Sequence, residues 1–209
     1  MNAQTPEALV YVVDDEPAIR DSLALLLRSV GLATRTFEGA QAFLDACAPL
    51  PGACLLVDVR MPGMSGLELQ EALRARGVGL PVIVLTGHGD IAMAVRAMKA
   101  GATDFIEKPY NDQVLIDAVH RALAAARSPQ AEPAADRAGI EARLATLSPR
   151  EREVMQLVVD GRPNKVIATR LGLSTRTVEV HRAKVMEKMA ARSLAELVRM
   201  ALAGGVAAG

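Results

Sequence analysis

Short apolar runs alternate with amphipathic stretches over the first 127 residues of the chain. The runs contain mainly Val, Ile and Leu, a pattern typical of strands buried on both faces of a parallel sheet. We predict strands at residues 8–13, 33–37, 55–58, 82–86 and 104–106. Helical spacing predicts helices at about residues 17–30, 40–48, 66–75, 91–100 and 111–126. Five strands alternating with five helices predict a doubly wound α/β fold.

A change of composition follows this α/β pattern. Residues 127–139 are rich in Ala, Pro, Glu, Gln, Ser and Asp, and Pro129 and Pro133 interrupt any long helix. This composition predicts a solvated linker. Helical spacing returns at residues 140–147, where Ile140, Leu144 and Leu147 form an apolar stripe.

The last third of the chain carries start and stop signals for four short helices. Ser148 and Glu151 have the spacing of a capping box, and Pro149 takes the first helical position before a stop at Gly161. The next helix begins at Pro163. The residues expected to face inward are Val166, Ile167 and Leu171 in the second helix, Val178, Val185 and Met189 in the third, and Leu194, Leu197, Val198, Ala201 and Leu202 in the fourth.

A short turn joins the second and third of these helices. Residues 172–174, which begin with Gly172, separate the second helix from a helix predicted over residues 175–189. Two helices joined in this way form a helix-turn-helix unit, whose second helix enters the major groove of DNA. The sequence therefore predicts an all-α DNA-binding domain of four helices.

The charge distribution differs between the two halves, although the formal net charge is zero. Residues 1–127 contain 11 basic and 15 acidic residues, a net charge of −4, and residues 146–209 contain 11 basic and 6 acidic residues, a net charge of +5. The basic half is consistent with a nucleic-acid partner. Aromatic residues are too few for a platform that stacks single-stranded bases.

The sequence gives little indication of a membrane segment, a signal peptide or a cysteine-based metal site. The apolar stretches are far shorter than the roughly 20 residues that cross a bilayer. Residues 1–7 lack the basic-then-apolar layout of a signal peptide, so we expect a cytoplasmic protein with no membrane partner. Cys47 and Cys54 lack metal-site spacing, and we expect both to be packing residues.

Polar side chains stand where the predicted strands end. Asp14 and Asp15 follow the first strand, Asp58 ends the third, Thr86 ends the fourth and Lys108 follows the fifth. The carboxyl ends of parallel strands share one edge of the sheet, where open α/β sheets bind ligands. Carboxylates so close together repel one another unless cations are present, and an oxygen-only ligand set favours Mg²⁺ over zinc.

These groups fit phosphoryl transfer onto a carboxylate. We predict that Asp58 is the nucleophile, and that Mg²⁺ and the Lys108 ammonium neutralise the phosphoryl oxygens. Each residue alone has a simpler interpretation: Asp58 as a turn cap, Asp14 and Asp15 as a helix start, Thr86 as an ordinary strand residue and Lys108 as a surface charge. Their recurrence at the strand ends favours a site.

The outward face of the third C-terminal helix has the residues expected of a recognition helix. Val180 gains nothing in water but fits a thymine methyl group, and Ala183 is small enough for close approach. Glu179 either accepts from cytosine N4 or pairs with a neighbouring arginine, and we favour the pairing. The predicted phosphate contacts are Arg176, Arg182 and Lys184, with Thr175, Thr177 and Lys165 as further donors. A solvated basic face is the alternative.

Four motifs of the first half resemble the receiver domains of bacterial two-component response regulators. They are Val13-Asp14-Asp15-Glu16, Asp58 with Met61-Pro62-Gly63-Met64-Ser65-Gly66, Leu85-Thr86-Gly87, and Phe105-Ile106-Glu107-Lys108-Pro109. The resemblance covers about residues 9–126. It implies a flavodoxin-like sheet of strand order 2-1-3-4-5, and a sensor histidine kinase whose phosphohistidine supplies the phosphoryl group to Asp58.

The same resemblance assigns roles to the surrounding residues. It implies that Asp15, Asp58 and the backbone carbonyl of Arg60 bind Mg²⁺ directly and that Asp14 acts through water. Thr86 and Lys108 would bind phosphoryl oxygens, and Phe105 would be the aromatic switch residue. The alternative for Phe105 is a core aromatic of the fifth strand. Gly87 is expected to leave space for a small phosphodonor or water.

Motifs of the second half resemble the LuxR-type DNA-binding domain. They are Leu147 to Val154, Gly161, Asn164-Lys165-Val166-Ile167-Ala168, and Ser174 to Lys184. The whole chain resembles a FixJ-type response regulator, to which Gly87-His88-Gly89-Asp90 and the 177–183 segment are close. The resemblance implies a transcription regulator that dimerises when phosphorylated and binds promoter double-stranded DNA, with RNA polymerase as a further partner.

From these observations we predict three segments: a receiver domain at residues 1–127, a partly helical linker at 128–146 and a LuxR-type helix-turn-helix domain at 147–209. Two other functions stay open at this point. An aspartyl-phosphate phosphatase uses the same chemistry, although its second acid normally stands two residues after the nucleophile, where this chain has Arg60. A scaffold or DNA-binding protein that works without phosphorylation would carry the same strand-end residues as a vestige.

Overall fold

The structure is a computed structural model that describes residues 8–46, 50–87, 91–127 and 137–206. The expected N-terminal segment, the end of the second helix with Cys47, the His88–Asp90 motif and the linker prolines lie outside the described residues. The strands are β1 (Leu9–Val13), β2 (Ala33–Phe37), β3 (Cys54–Asp58), β4 (Val82–Thr86) and β5 (Asp104–Glu107). The helices are α1 (Pro17–Ser29), α2 (Ala40–Ala46), α3 (Gly66–Ala75), α4 (Ile91–Lys99), α5 (Asp112–Arg127), α6 (Arg137–Ala145), α7 (Pro149–Val159), α8 (Asn164–Leu171), α9 (Thr175–Met189) and α10 (Leu194–Ala203).

The five strands form one parallel sheet in the order β2-β1-β3-β4-β5. This confirms the predicted doubly wound α/β fold. The described residues divide into two compact units. One holds the sheet with α1, α2, α3 and α5, and the other holds α6 to α10 together with α4.

The central strands β3 and β4 are buried along their whole length, as their continuous apolar runs predict. Val10 and Val12 of β1 belong to a core cluster with α1 and α5, which includes Leu27 and Leu115. Because successive side chains alternate, Tyr11 points to the opposite face, where its ring packs against those of Phe37 and Phe43. This packing fixes the strands whose ends carry the polar residues.

The C-terminal helices start where the sequence signals place them. The side chains of Ser148, Ser174 and Ser193 each accept a hydrogen bond from the backbone N–H three residues later. Gly172 ends α8 in the left-handed conformation, with a φ of 66°. Glycine adopts that conformation without steric penalty, which allows the tight turn into α9.

Three details of the helical prediction were wrong. Pro163 is the residue before α8, which begins at Asn164, because its ψ of 152° is extended rather than helical. Val166 and Leu202 are exposed rather than inward, and their places in the core are taken by Ala168, Met200 and other neighbours. Short helices permit such one-position shifts, because an apolar stripe of few residues defines the buried face loosely.

None of the helices in the described ranges combines the length and apolar character needed to span a bilayer. Cys54 is buried in β3, and burial raises the pKa of its thiol to about 12. The thiolate is therefore strongly disfavoured, in agreement with a packing role for this residue.

Candidate functional site

Backbone hydrogen bonds hold the strand ends in register at one edge of the sheet. The N–H of Lys108 donates to the carbonyl of Thr86 at 2.7 Å, and the N–H of Val59 donates to the carbonyl of Leu85 at 2.9 Å. These bonds continue the β4–β5 and β3–β4 ladders beyond the strands. They fix the backbone from which Asp58 and Lys108 project.

The side chain of Lys108 bridges two carboxylates at this edge. Its Nζ lies 2.6 Å from Oδ1 of Asp58 and 2.8 Å from Oδ2 of Asp14. Asp14 and Asp58 are 1% and 8% exposed, so both carboxylates are largely withdrawn from water. Buried carboxylates need a compensating charge, and the ammonium of Lys108 supplies it.

Backbone N–H groups bind the two remaining carboxylate oxygens. Oδ2 of Asp58 accepts from the N–H of Arg60 at 2.6 Å, and Oδ1 of Asp14 accepts from the N–H of Glu16 at 2.9 Å. Each carboxylate is thus fixed by one backbone bond and one ion pair. This arrangement holds Asp58 in one orientation before any phosphodonor binds.

The two ion pairs shift the pKa of Lys108. Burial alone lowers it, but the hydrogen bonds and charges of Asp14 and Asp58 outweigh burial, so that the pKa is raised above its usual value. The amine therefore stays protonated throughout the neutral range.

The other residues predicted for this site lie in or next to the strands β1, β3, β4 and β5, outside the ion pairs of Lys108 with Asp14 and Asp58. Thr86 is buried, and its hydroxyl faces the carbonyl of Gly87 at 3.4 Å. Asp15 and Arg60 are exposed, and Phe105 is partly buried. A Cβ added at Gly87 would meet no atom of the described residues within 4 Å, in agreement with the open space expected there.

The donor atoms at this edge are carboxylate and carbonyl oxygens, which is the chemistry that Mg²⁺ requires. Among the described residues, no three His, Cys, Asp or Glu side chains already converge as a metal-binding group. The Lys108 ammonium provides the positive charge in this arrangement. The residues fit Mg²⁺ by donor type, and Asp15 is exposed to receive a hydrated ion.

Sequence reasoning gave no structural role to two residues that shape the site. Arg20 donates from Nη1 to the backbone carbonyls of Asp14 and Asp15, at 2.7 and 3.0 Å. A basic residue one turn into the helix after an acidic pair is the signal that could have indicated it. Gly66 packs so closely on the end of β3 that an added Cβ would lie 2.2 Å from the carbonyl oxygen of Asp58.

The C-terminal unit presents the predicted DNA-binding residues on α9. Val178, Val185 and Met189 are buried as predicted, so the opposite face of the helix points outward. Val180 remains 49% exposed. The residues that line one open surface depression on this face are Arg176, Glu179, Val180 and Ala183.

The remaining members of the predicted DNA-binding set fall into two groups. Thr175, Lys165 and Lys184 are exposed. The hydroxyl of Thr177 shares a 2.7 Å hydrogen bond with that of Ser174 in the helix cap. Arg182 is half-buried and donates to Asn164 on α8, which the sequence prediction did not include. No local sequence pattern predicts a contact between two residues that are 18 positions apart.

Comparison with known proteins agrees with both halves of this description. Residues 10–120 match the response regulator receiver domain family, and residues 145–201 match the luxR family of bacterial regulatory proteins. The transcriptional regulatory protein FixJ of Azorhizobium caulinodans is 55% identical over 204 residues, which are 97% of this chain and 96% of that protein. The chain belongs to the FixJ-type response regulators.

Solved structures of FixJ share the same fold. Full-length FixJ from B. japonicum is 46% identical, covers 97% of this chain and 100% of its own, and superposes with a TM-score of 0.55. A structure of FixJ-N is 47% identical over 57% of this chain and 96% of its own, with a TM-score of 0.55. The FixJ-type chain is therefore a two-component response regulator and transcription factor with LuxR-type DNA binding, rather than a catalytic enzyme.

Proposed function

We propose that Asp58 is the phospho-acceptor of this response regulator, and that its phosphorylation drives dimerisation and promoter binding. The bridge from Lys108 to the buried carboxylates of Asp58 and Asp14 carries the proposal. A lysine with a raised pKa at that position neutralises charge as a phosphoryl group arrives. In the transfer, a bond forms between an Asp58 oxygen and phosphorus while the P–N bond of a kinase phosphohistidine breaks.

The proposal gives the neighbouring residues the roles that the family motif implies. Asp15, Asp58 and the backbone carbonyl of Arg60 would hold Mg²⁺, with Asp14 acting through water. When bound, Mg²⁺ neutralises phosphoryl oxygens and orients the donor. Thr86 and Lys108 would bind phosphoryl oxygens of the product, and Phe105 would follow the movement of Thr86. The exposure of Asp15 and the open space at Gly87 support access to the site.

The outward face of α9 is the proposed contact with the DNA major groove. Arg176, Glu179 and Ala183 line this face together with the exposed Val180, which suits a helix that reads base edges while lysines and arginines contact phosphates. The predicted members of this interface are Lys165, Thr175, Arg176, Thr177, Glu179, Val180, Arg182, Ala183 and Lys184.

Dimerisation couples the two events in this proposal. Moving a two-state equilibrium from 1:99 to 99:1 requires about 5.5 kcal/mol, and the free energy of a new phosphoryl group linked to a dimer interface is large enough to supply this.

The specific partners in this proposal are a sensor histidine kinase, a near-palindromic promoter site and RNA polymerase. We place the protein in the cytoplasm, where a regulator reaches the chromosome. The proposed boundaries are a receiver at residues 1–127, a linker at 128–146 and a DNA-binding domain at 147–209.

The decisive experiment treats the full chain with acetyl phosphate and Mg²⁺. Mass spectrometry should locate the acyl phosphate at Asp58, and sedimentation should show a dimer. Asp58→Asn should lose both signals, whereas Asp21→Asn, which removes an exposed carboxylate on α1, should retain them. Dimerisation of Asp58→Asn in response to acetyl phosphate would contradict the proposal.

A further inference from the structure

A side-chain hydrogen bond between Arg182 and Asn164, referred to below as the tie, links the two helices of the helix-turn-helix unit. Nη1 of Arg182, in the middle of α9, donates to Oδ1 of Asn164, the first residue of α8, at 2.5 Å. The turn at residues 172–174 also joins the two helices, and they pack against each other. At 1.5 Å per residue, Asn164 and Arg182 each lie roughly 10 to 12 Å along their helices from that turn. The tie therefore links the two helices at a point far from the turn.

The environment of Arg182 distinguishes it from the other basic residues of α9. Its side chain lines a narrow crevice with apolar residues of α7 and α10, among them Val158 and Leu197. Partial withdrawal from water lowers the pKa of Arg182, and the carboxylate of Glu179 acts in the opposite direction. Lys184, by contrast, is exposed. Arg182 is therefore half-buried within the unit, whereas Lys184 is free to reach outward.

We propose that Arg182 and Asn164 form a positioning pair that sets the angle between α8 and α9, and that Arg182 does not serve chiefly as a phosphate contact. The inference rests on the proposed DNA-binding role of α9. The turn and the apolar packing of Val178, Val185 and Met189 hold α9 in the unit, and the tie adds a directional bond that sets its angle to α8. Base contacts from Glu179, Val180 and Ala183 depend on that direction.

The salt dependence of binding separates positioning from phosphate contact. Each phosphate contact that is lost reduces the slope of log K against log salt concentration by about 0.9. A lost positioning contact misplaces base contacts, and it lowers affinity for a preferred sequence without removing a charge from the interface. Because Asn164 carries no charge, Asn164→Ala tests the pair without changing the net charge of the DNA-binding surface.

The experiment uses the full chain with acetyl phosphate and Mg²⁺, and a duplex that the wild-type chain has selected from a random pool. Asn164→Ala and Arg182→Lys should each weaken binding to this duplex by at least about tenfold, because each would misplace the base contacts of α9. Neither should change the salt slope. Lysine keeps the charge but not the planar fork of arginine, so it cannot restore a directional tie.

Two further variants serve as controls. Thr169→Ala removes an exposed hydroxyl of α8 that donates within its own helix, to the carbonyl of Lys165, and it should bind as the wild type does. Lys184→Met should reduce the salt slope by about 0.9. The double variant Asn164→Ala/Arg182→Lys should bind no more weakly than either single variant, because both remove the same tie.

Three results would decide against the pair. If Asn164→Ala or Arg182→Lys bound DNA with wild-type affinity, the tie would not matter for binding. If Arg182→Met reduced the slope of log K against log salt concentration by about 0.9, Arg182 would be a phosphate contact. Hydrogen exchange of α8 and α9 in the DNA-free chain checks folding, since global loss of protection in the variants would make Arg182 a stability residue only. Failure of the wild-type chain to bind any duplex would instead remove the proposed function itself.

Discussion

At Gly66, the absence of a side chain allows α3 to begin directly against the end of β3. Its N–H donates to the carbonyl of Val59 at 3.1 Å, which closes the loop that follows Asp58. An added Cβ would lie 2.2 Å from the backbone oxygen of Asp58, and backbone atoms cannot move aside as a flexible side chain can. The position of Asp58 therefore depends on a residue eight positions away that touches no substrate.

We expect Gly66→Ala to impair both stability and phosphorylation. Alanine is normally the better helix residue, by about 0.5–1 kcal/mol, but overpacking against backbone costs about 1–3 kcal/mol and should dominate. Displacement of Asp58 should slow its labelling by acetyl phosphate. Urea unfolding and mass spectrometry measure the two effects. Gly79→Ala, where an added Cβ would meet nothing within 4 Å, is the control, and unaltered labelling of Gly66→Ala would contradict the argument.

The site residues that could be predicted from the sequence differ physically from those that could not. Asp14, Asp58 and Lys108 could be predicted because the end of a buried parallel strand fixes where a side chain lies. The partners of Arg20 and Arg182 could not, since long flexible side chains bind whichever acceptor the folded chain places within reach. Proximity between distant segments is a property of packing, and no local pattern encodes it.

At the scale of elements, the end of α9 carries a residue in an unfavourable conformation. Ala190 has a φ of 53°, in the left-handed region, where its N–H donates to Glu187 and the N–H of Ala191 donates to Met186. This is the helix ending for which glycine is usual. The chain therefore retains an avoidable strain at the end of its recognition helix.

Ala190→Gly should stabilise the C-terminal unit by about 0.5–1 kcal/mol. Relief of the left-handed alanine, worth about 1–2 kcal/mol, exceeds the greater entropy of glycine in the unfolded chain. Amide hydrogen exchange in α9 would report the free energy of opening. Ala191→Gly, one position later and outside the left-handed region, should destabilise the same helix, and stabilisation by both variants would refute the assignment to φ.

The start of α7 contains a buried acidic residue with a depressed pKa. The carboxylate of Glu151 accepts from Nζ of Lys188 at 2.6 Å and from the N–H of Ser148 at 2.8 Å. These bonds lower its pKa from 4.5 to about 2. The ionised form is favoured in the folded state, so its stabilising effect is complete above pH 4.5 and is lost as the pH falls toward 2.

Glu151→Gln should therefore destabilise the C-terminal unit near neutral pH and remove part of its acid sensitivity. The difference in free energy of unfolding between wild type and variant should shrink between pH 4.5 and pH 2. Urea denaturation at several pH values measures it. Glu153→Gln removes an exposed partner of Arg150 and should show a smaller, nearly constant difference. A constant difference for Glu151→Gln would exclude this origin of the pH dependence.

The elements themselves were largely predictable. Continuous apolar runs located β1, β3 and β4 to within about one residue, because burial on both faces leaves few polar positions in a strand. The predicted ranges of β2 and β5 match equally closely, although both strands contain polar residues. Capping signals located α7, α9 and α10 equally well. The inward faces of α8 and α10 were less certain, since a helix of eight to ten residues offers only two turns or so of pattern.

At the scale of the whole molecule, the division of charge separates two tasks. The acidic first half, with a net charge of −4, contains the proposed phosphorylation site, and the basic second half, with +5, contains the proposed DNA contacts. A basic surface alone binds any duplex weakly, and joining two such surfaces would strengthen binding. Pairing of two chains on one duplex doubles the number of phosphates neutralised.

We expect this pairing to be visible in the salt dependence of DNA binding. The slope of log K against log salt concentration is about −0.9 for each neutralised phosphate, so a phosphorylated dimer should show about twice the slope of a single bound chain. Fluorescence anisotropy over a range of NaCl concentrations would compare the wild-type chain, treated with acetyl phosphate and Mg²⁺, with Asp58→Asn treated identically. If phosphorylation instead raised affinity at an unchanged slope, each chain would bind alone, and the phosphoryl group would act by releasing the second half rather than by joining two copies.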